Sequence, residues 1–249
     1  MSLKQNTVLY NVEDRVATIR MNRPSVKNAI NLEMHEELYA AFKMAKSDHD
    51  VQVIVLTGAG DAFSSGADIK SIPLDDLEQF DHGSYLEKTY NSLILLIDQI
   101  EKPVVAYING IAVGAGLSLA LACDFRIADE QSAFALSFLQ IGLIPDAGAS
   151  YYLPRLVGLG KALELSLGKK ISAKEAVEIG LVNKVGDPST FIQNLKRLPY
   201  PAYYYMKRNM KAGFESTLRV TLDMEVEGQR VSGKSAFHKQ AVMKFVRGS

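Results

Sequence analysis

The residues of this chain best suited to move a proton or polarise a carbonyl lie in three short stretches. In "IGLIPDAGAS", Ile141 to Ser150, a single carboxylate, Asp146, follows an apolar Leu-Ile-Pro run and precedes small residues. An aspartate with apolar neighbours is hard to ionise, so its pKa rises from about 3.9 towards neutrality, where it serves as a general acid or base. The same residue could instead cap the turn that follows or pair with Arg155, the ordinary duty of a loop acid. In "SSGADIK" and "VGAGLSLALACD" small residues leave the main chain bare: Gly66 and Ala67 in the first, Gly114, Ala115 and Gly116 in the second. Two converging N–H groups from such segments would form an oxyanion hole for a carbonyl that becomes an enolate, each worth about 3 kcal/mol in the transition state. Glycines that merely permit tight turns would leave the same residues.

Other chemistries fit these residues less well. Gly110, Gly114 and Gly116 do not match G-x-G-x-x-G, and no Lys-Ser/Thr pair follows, so the turn is not a nucleotide phosphate cradle. Gly116-Leu-Ser118-Leu-Ala120 is loosely similar to a nucleophile elbow, but such a serine needs a base, and the histidines are only His35, His49, His82 and His238. Ser118 reads better as a small helix residue lining a pocket. The single cysteine, Cys123, sits in an apolar run and reads as a buried thiol in a reducing compartment. Lys plus Arg and Asp plus Glu stand at 28 each, so no net field favours nucleic acid or an anionic membrane. No apolar run approaches a membrane span and the N-terminus has no basic-then-apolar targeting pattern, so the cytoplasm is the expected location.

The elements that must position these stretches follow from periodicity. "TVLYNVED" and "RVATIRMN" alternate as strands, and Asn31 caps a helix with Met34, Leu38, Ala41, Phe42 and Ala45 on one face. "VQVIVLT" and "PVVAYI" are apolar enough for strands covered on both faces, while "GAGDAFSSGADIK" reads as a loop. A helix is predicted from about Tyr85 to Gln99, and another after the Gly-rich turn "NGIAVGAG". "FRIAD" and "SAFAL" read as short strands, and from Pro154 onward helical spacing dominates, with no fixed-period repeat. The pattern predicts an α/β core followed by a helical C-terminal part.

Read together, "FSSGADIK", "NGIAVGAGLSLALACDFRIAD", "IGLIPDAGASYYLPRLVG" and "SAKEAVEIGLVNKV" resemble the enoyl-CoA hydratase/isomerase (crotonase) superfamily, from about Val8 to Val185 and including the early "RPSVKNAI". The resemblance implies a spiral of ββα units over residues 1–195 and a C-terminal helical oligomerisation region over 196–249, assembling as a homotrimer or as a hexamer of paired trimers. It implies an acyl-CoA thioester substrate, coenzyme A entering as part of the substrate, and no separate cofactor or metal. Carried over by position, the backbone N–H groups of Ala67 and Ala115 would hold the enolate. Lys27, Ala29, Gly66, Asp68 and Ile69 would border the CoA channel, and Gly114, Ser118, Phe138 and Tyr151 would line the substrate site. Ile69, Phe134, Phe138 and Tyr151 suggest an apolar or aromatic acyl cavity. Phe237 matches a pocket residue lent across a subunit boundary, although the lysine that often follows is Gln240 here, beside Lys239.

The departures from the family pattern carry as much as the matches. The two glutamates of the hydratases fall at Ser118 and Phe138. Asp146 stands where an acid is used by the ring-1,2-epoxyphenylacetyl-CoA isomerase branch, by dienoyl-CoA isomerases and by 4-chlorobenzoyl-CoA dehalogenase, and the context is most similar to the first. The dehalogenase chemistry needs an aromatic cage, and this chain has no tryptophan. The expectation is an acyl-CoA isomerase that moves a double bond or rearranges an epoxide, with Asp146 as acid and base. The alternatives are a 2-enoyl-CoA hydratase with an unusual residue set and a non-catalytic acyl-CoA-binding protein that keeps the fold.

Overall fold

The computed structural model describes residues 6–71 and 79–248. Strands β1 (Val8–Glu13) and β2 (Val16–Met21) form an antiparallel hairpin. Its two-residue turn, Asp14 and Arg15, has positive φ at both positions, which matches the twist of paired strands. Helix α1 (Leu32–Ser47) begins where the Asn31 side chain accepts the Met34 N–H at 3.0 Å. Its buried face carries the five residues expected from spacing, and also His35.

The chain then alternates between two sheets. Strand β3 (Val53–Gly58) joins one sheet and β4 (Ala62–Ser64) the other, before helices α2 (His82–Leu86) and α3 (Ser92–Asp98), which are linked by a π-helical turn, Glu87–Asn91. The next round is β5 (Val104–Ile108), β6 (Ile111–Val113) and α4 (Ala115–Leu121). A third is β7 (Phe125–Ala128), β8 (Ala133–Ala135) and α5 (Ala149–Val157). Helix α6 (Leu159–Ser166), β9 (Ile171–Ser172), α7 (Ala173–Glu178), β10 (Lys184–Val185) and α8 (Ser189–Lys196) complete the series. The sheets run β1-β2-β3-β5-β7-β10 and β4-β6-β8-β9. Apart from the hairpin and the β8–β9 pair, all pairings are parallel. Each ββα round gives one strand to each sheet, which is the spiral the resemblance implies.

All six residues of β3 are buried, as a strand covered on both faces requires. Successive rounds are tied at their turns. Asn109 accepts the Gly58 N–H and donates to the Gly58 and Gly60 carbonyls. Gly110 follows because a Cβ there would lie 2.1 Å from the Asp61 carbonyl oxygen. Four strands depart from the sequence expectation. β4 lies in the predicted loop, β6 in the predicted Gly-rich turn, and β9 and β10 in the part read as helical. Strands of two or three residues show no periodicity of their own; their partners specify them.

The chain divides into two units between Ile192 and Gln193. The second contains α9 (Tyr200–Ala212), α10 (Leu218–Ser232) and α11 (Ala236–Arg247). α10 approaches α9 closely at Gly228, where a Cβ would lie 3.0 Å from Tyr205 Cβ, and Arg208 pairs with Glu227 at 2.9 Å. Gly228 is the only buried residue of α10 and α11. Leu218, Leu222, Phe245 and Val246 expose apolar side chains there. Among the described residues, no helix is long and apolar enough to cross a membrane.

Candidate active site

The main chain of two loops meets at Gly66. Ile30 donates its N–H to the Gly66 carbonyl at 2.8 Å and accepts the Asp68 N–H at 2.9 Å, a parallel bridge to Ala67. In that pattern the two peptides flanking Ala67 face Ile30, and the Ala67 N–H faces the other way. Ala115 is the first residue of α4, so its N–H has no acceptor inside the helix. Gly66, at φ +95°, links the two: a Cβ there would lie 2.8 Å from the Val113 oxygen and 3.5 Å from the Ala115 nitrogen. A side chain would therefore force the loops apart. Gly114 donates to the Ala135 carbonyl at 2.9 Å, and a Cβ on it would be 4.0 Å from Phe138 Cζ, which places the Phe138 ring over the entry to α4.

The proposed channel edge is held by side chains of the first unit. Arg23 Nη1 donates to Asp68 Oδ2 at 2.8 Å and to the Ala29 carbonyl at 2.6 Å. Ser65 donates its N–H to the Lys27 carbonyl at 2.9 Å, and buried Asn28 donates to the carbonyls of Ala59 and Ala62. Lys27 and Ile69 are exposed while Ala29 is buried. The Asp68 carboxylate thus binds "RPSVKNAI" to "SSGADIK". Phe134 is buried within β8. Tyr151 is partly exposed with the Arg155 guanidinium 3.6 Å from its ring centre, and Phe237 is 51% exposed on α11.

Ser118 is fully buried and its hydroxyl donates back to the Gly114 carbonyl at 3.3 Å. It is therefore no exposed nucleophile at an elbow, and the serine-hydrolase reading fails on geometry. As expected it is a small helix residue, with its Oγ turned to its own helix backbone.

Asp146 is presented by a short loop. Leu143 donates its N–H to the Phe138 carbonyl at 3.0 Å, and Ala147 and Gly148, both at positive φ, turn the chain into α5. The side chain is half-buried, its Oδ1 fully so, and Oδ1 has no hydrogen-bond partner among the described residues. It neither caps the turn through Oδ1 nor pairs there with Arg155. Burial pushes its pKa up to about 6.

Behind the loop lies a polar pair that periodicity alone did not single out. A Cβ at Gly148 would be 3.2 Å from Ile94 Cγ2, and Tyr90 lies one helical turn before Ile94. Tyr90 is 3% exposed and meets His35 edge to face, with ring centres 4.1 Å apart. Burial raises the Tyr90 phenol well above 10, with smaller contributions from Tyr85 and Asp146. Burial lowers His35 to about 4, so its imidazole is neutral at pH 7. The one available signal was a histidine beside Met34 on a helix face otherwise apolar.

Comparisons with known proteins point one way. A family model described as enoyl-CoA hydratase/isomerase matches residues 11–247. The 1,2-epoxyphenylacetyl-CoA isomerase of Escherichia coli (strain K12) is 34% identical over 248 residues, covering 96% of this chain and 95% of the relative. The short-chain-enoyl-CoA hydratase of Clostridium acetobutylicum is 36% identical over 199 residues, covering 79% and 75%. The crystal structure of enoyl-CoA hydratase from Thermoplasma volcanium GSS1 superposes with a TM-score of 0.90 at 32% identity, covering 98% of this chain and 99% of the other.

Proposed function

Because the chain belongs to the enoyl-CoA hydratase/isomerase family, we propose that it is an enoyl-CoA isomerase shifting a double bond from the β,γ to the α,β position of an acyl-CoA thioester. The observation that carries this reading is Asp146: its buried Oδ1 has no hydrogen-bond partner among the described residues and burial pushes its pKa up to about 6, in a chain with Ser118 and Phe138 where hydratases place glutamates. The thioester oxygen would accept the N–H groups of Ala67 and Ala115, which favours charge developing on that oxygen. The Asp146 carboxylate takes a proton from Cα, and the C–H electron pair moves into a dienolate. The resulting carboxylic acid returns a proton to Cγ, leaving the double bond between Cα and Cβ and the carboxylate restored. This cycle uses proton transfer alone, with coenzyme A brought in by the substrate at the edge formed by Lys27, Ala29 and Ile69.

Conversion of a 3-enoyl-CoA to its 2-enoyl isomer by the purified chain tests the reading, and wild-type turnover by Asp146→Asn would remove Asp146 as the base. The hydratase relative supports a second reading, water addition to a 2-enoyl-CoA. Efficient hydration of crotonyl-CoA that survives Asp146→Asn selects it. The apolar residues exposed along α10 and α11 support self-association as a trimer or hexamer, which light scattering reads directly.

A further inference from the structure

Buried side-chain polar atoms without a partner among the described residues are Tyr10 Oη and atoms of just three other residues: both ring nitrogens of His35, Tyr90 Oη and Asp146 Oδ1. These three are neighbours. His35 and Tyr90 are in ring contact, the Asp146 charge acts on the Tyr90 phenol, and the Asp146 loop packs through Gly148 on the helical face that carries Tyr90. Burial without hydrogen bonding is costly for each group, and that cost is offset only when another polar atom completes them.

Their chemistry limits what that atom can be. Neutral His35 offers one donor and one acceptor, Tyr90 a donor and an acceptor, and ionised Asp146 acceptors only. A hydrocarbon acyl chain satisfies none of them. An oxygen on the acyl group can accept from Tyr90, and if it is a hydroxyl it can also donate to Asp146. We propose that the acyl group taken by this site carries an oxygen substituent at the carbons facing Asp146, and that Tyr90 Oη donates the hydrogen bond that recognises it. His35, packed edge to face, holds the phenol in place. Tyr90 is then a specificity residue, and the substrate class narrows from enoyl thioesters in general to oxygenated ones. A site built to bond such an oxygen discriminates against the analogue that lacks it. This inference rests on the reading of Asp146 as the group facing the reacting carbons.

The test uses coenzyme A thioethers, which have no carbonyl to enolise and so cannot be turned over. S-hexyl-CoA, S-(3-hydroxyhexyl)-CoA and S-(4-hydroxyhexyl)-CoA are titrated calorimetrically into the full chain and into Tyr90→Phe. At least one hydroxylated ligand is expected to bind wild type about tenfold tighter than S-hexyl-CoA. In Tyr90→Phe that advantage falls to within about twofold while S-hexyl-CoA binding is unchanged. Equal affinities for all three ligands in wild type, the result expected if a water merely bridges Tyr90 and Asp146, overturn the proposal. So does a hydroxyl preference that survives Tyr90→Phe. The wild-type comparison stands even if the variant folds poorly. Failure of the isomerase reading shows instead as turnover retained by Asp146→Asn, a separate measurement.

Discussion

Around Ala67 and Ala115 the main chain is locked: Ile30 bonds both peptides flanking Ala67, Gly114 bonds Ala135, and Gly66 leaves no space for a Cβ. Around Asp146 the reverse holds, with a carboxylate oxygen, a phenol and an imidazole buried and without a hydrogen-bond partner among the described residues. On the proposed reading the first region would stabilise charge with donors that belong to the backbone, so residue identity would matter there only through shape. On the same reading the second would handle protons with side chains left without partners among the described residues. If the proposed function holds, the two regions should fail differently when perturbed, the first through shape and the second through loss of proton transfer.

The largest separation is expected from Asp146→Asn. Loss of a general acid–base group lowers kcat by about 10³-fold in the 3-enoyl to 2-enoyl assay. In wild type, kcat/KM rises with pH on a limb centred near 6 as the carboxylate ionises, and the variant loses that limb. Stability gives an independent reading. A folded pKa raised from 3.8 to about 6 means the folded state holds the proton more tightly, so the contribution is full below about 3.8 and is lost as pH rises through 6. The melting temperature of Asp146→Asn should gain on wild type between pH 4 and 6 and run parallel above 7. A flat wild-type profile from pH 5 to 7 would break the comparison at its acid side.

Ala115→Pro probes the other side. Proline is accepted at the first position of a helix, and it deletes the one N–H in question. A fall in kcat of about 10²-fold is expected, with the pH limb near 6 retained and the melting temperature little changed. Loss of the limb in this variant would show that the two sides are not separable.

The contrast also explains what could be read from sequence. The backbone side was legible because small residues at Gly66, Ala67, Gly114 and Ala115 are a direct trace of close approach, and because β3 and β5 are long and apolar enough to announce themselves. β4 and β6, which bring those loops together, were not, since three residues carry no period and their pairing is a property of the partner strand. Asp146 stood out as a lone acid among apolar residues. Tyr90 and His35 did not, because an aromatic or a histidine on the buried stripe of a helix looks like core until its hydrogen bonds are counted. The Arg23–Asp68 pair was hidden for a simpler reason: forty-five positions separate the partners.

That pair supplies the smallest effect and the finest test. Arg23→Gln removes the bonds to Asp68 and Ala29, which tie the two segments bordering the expected CoA channel. The pair is largely buried and charge-assisted but lies at the rim, so about 1 kcal/mol of stability is at stake, seen as a drop of a few degrees in melting temperature. Ala67 itself is held by Ile30 and not by Arg23, so its N–H should keep its direction when the rim loosens. The expected signature is a KM for the CoA thioester raised about threefold at unchanged kcat, the mark of binding lost equally from ground and transition states. A fall in kcat of the same size would mean that the rim positions Ala67 as well, and the locked region would then extend from the backbone bridge out to the Arg23 guanidinium.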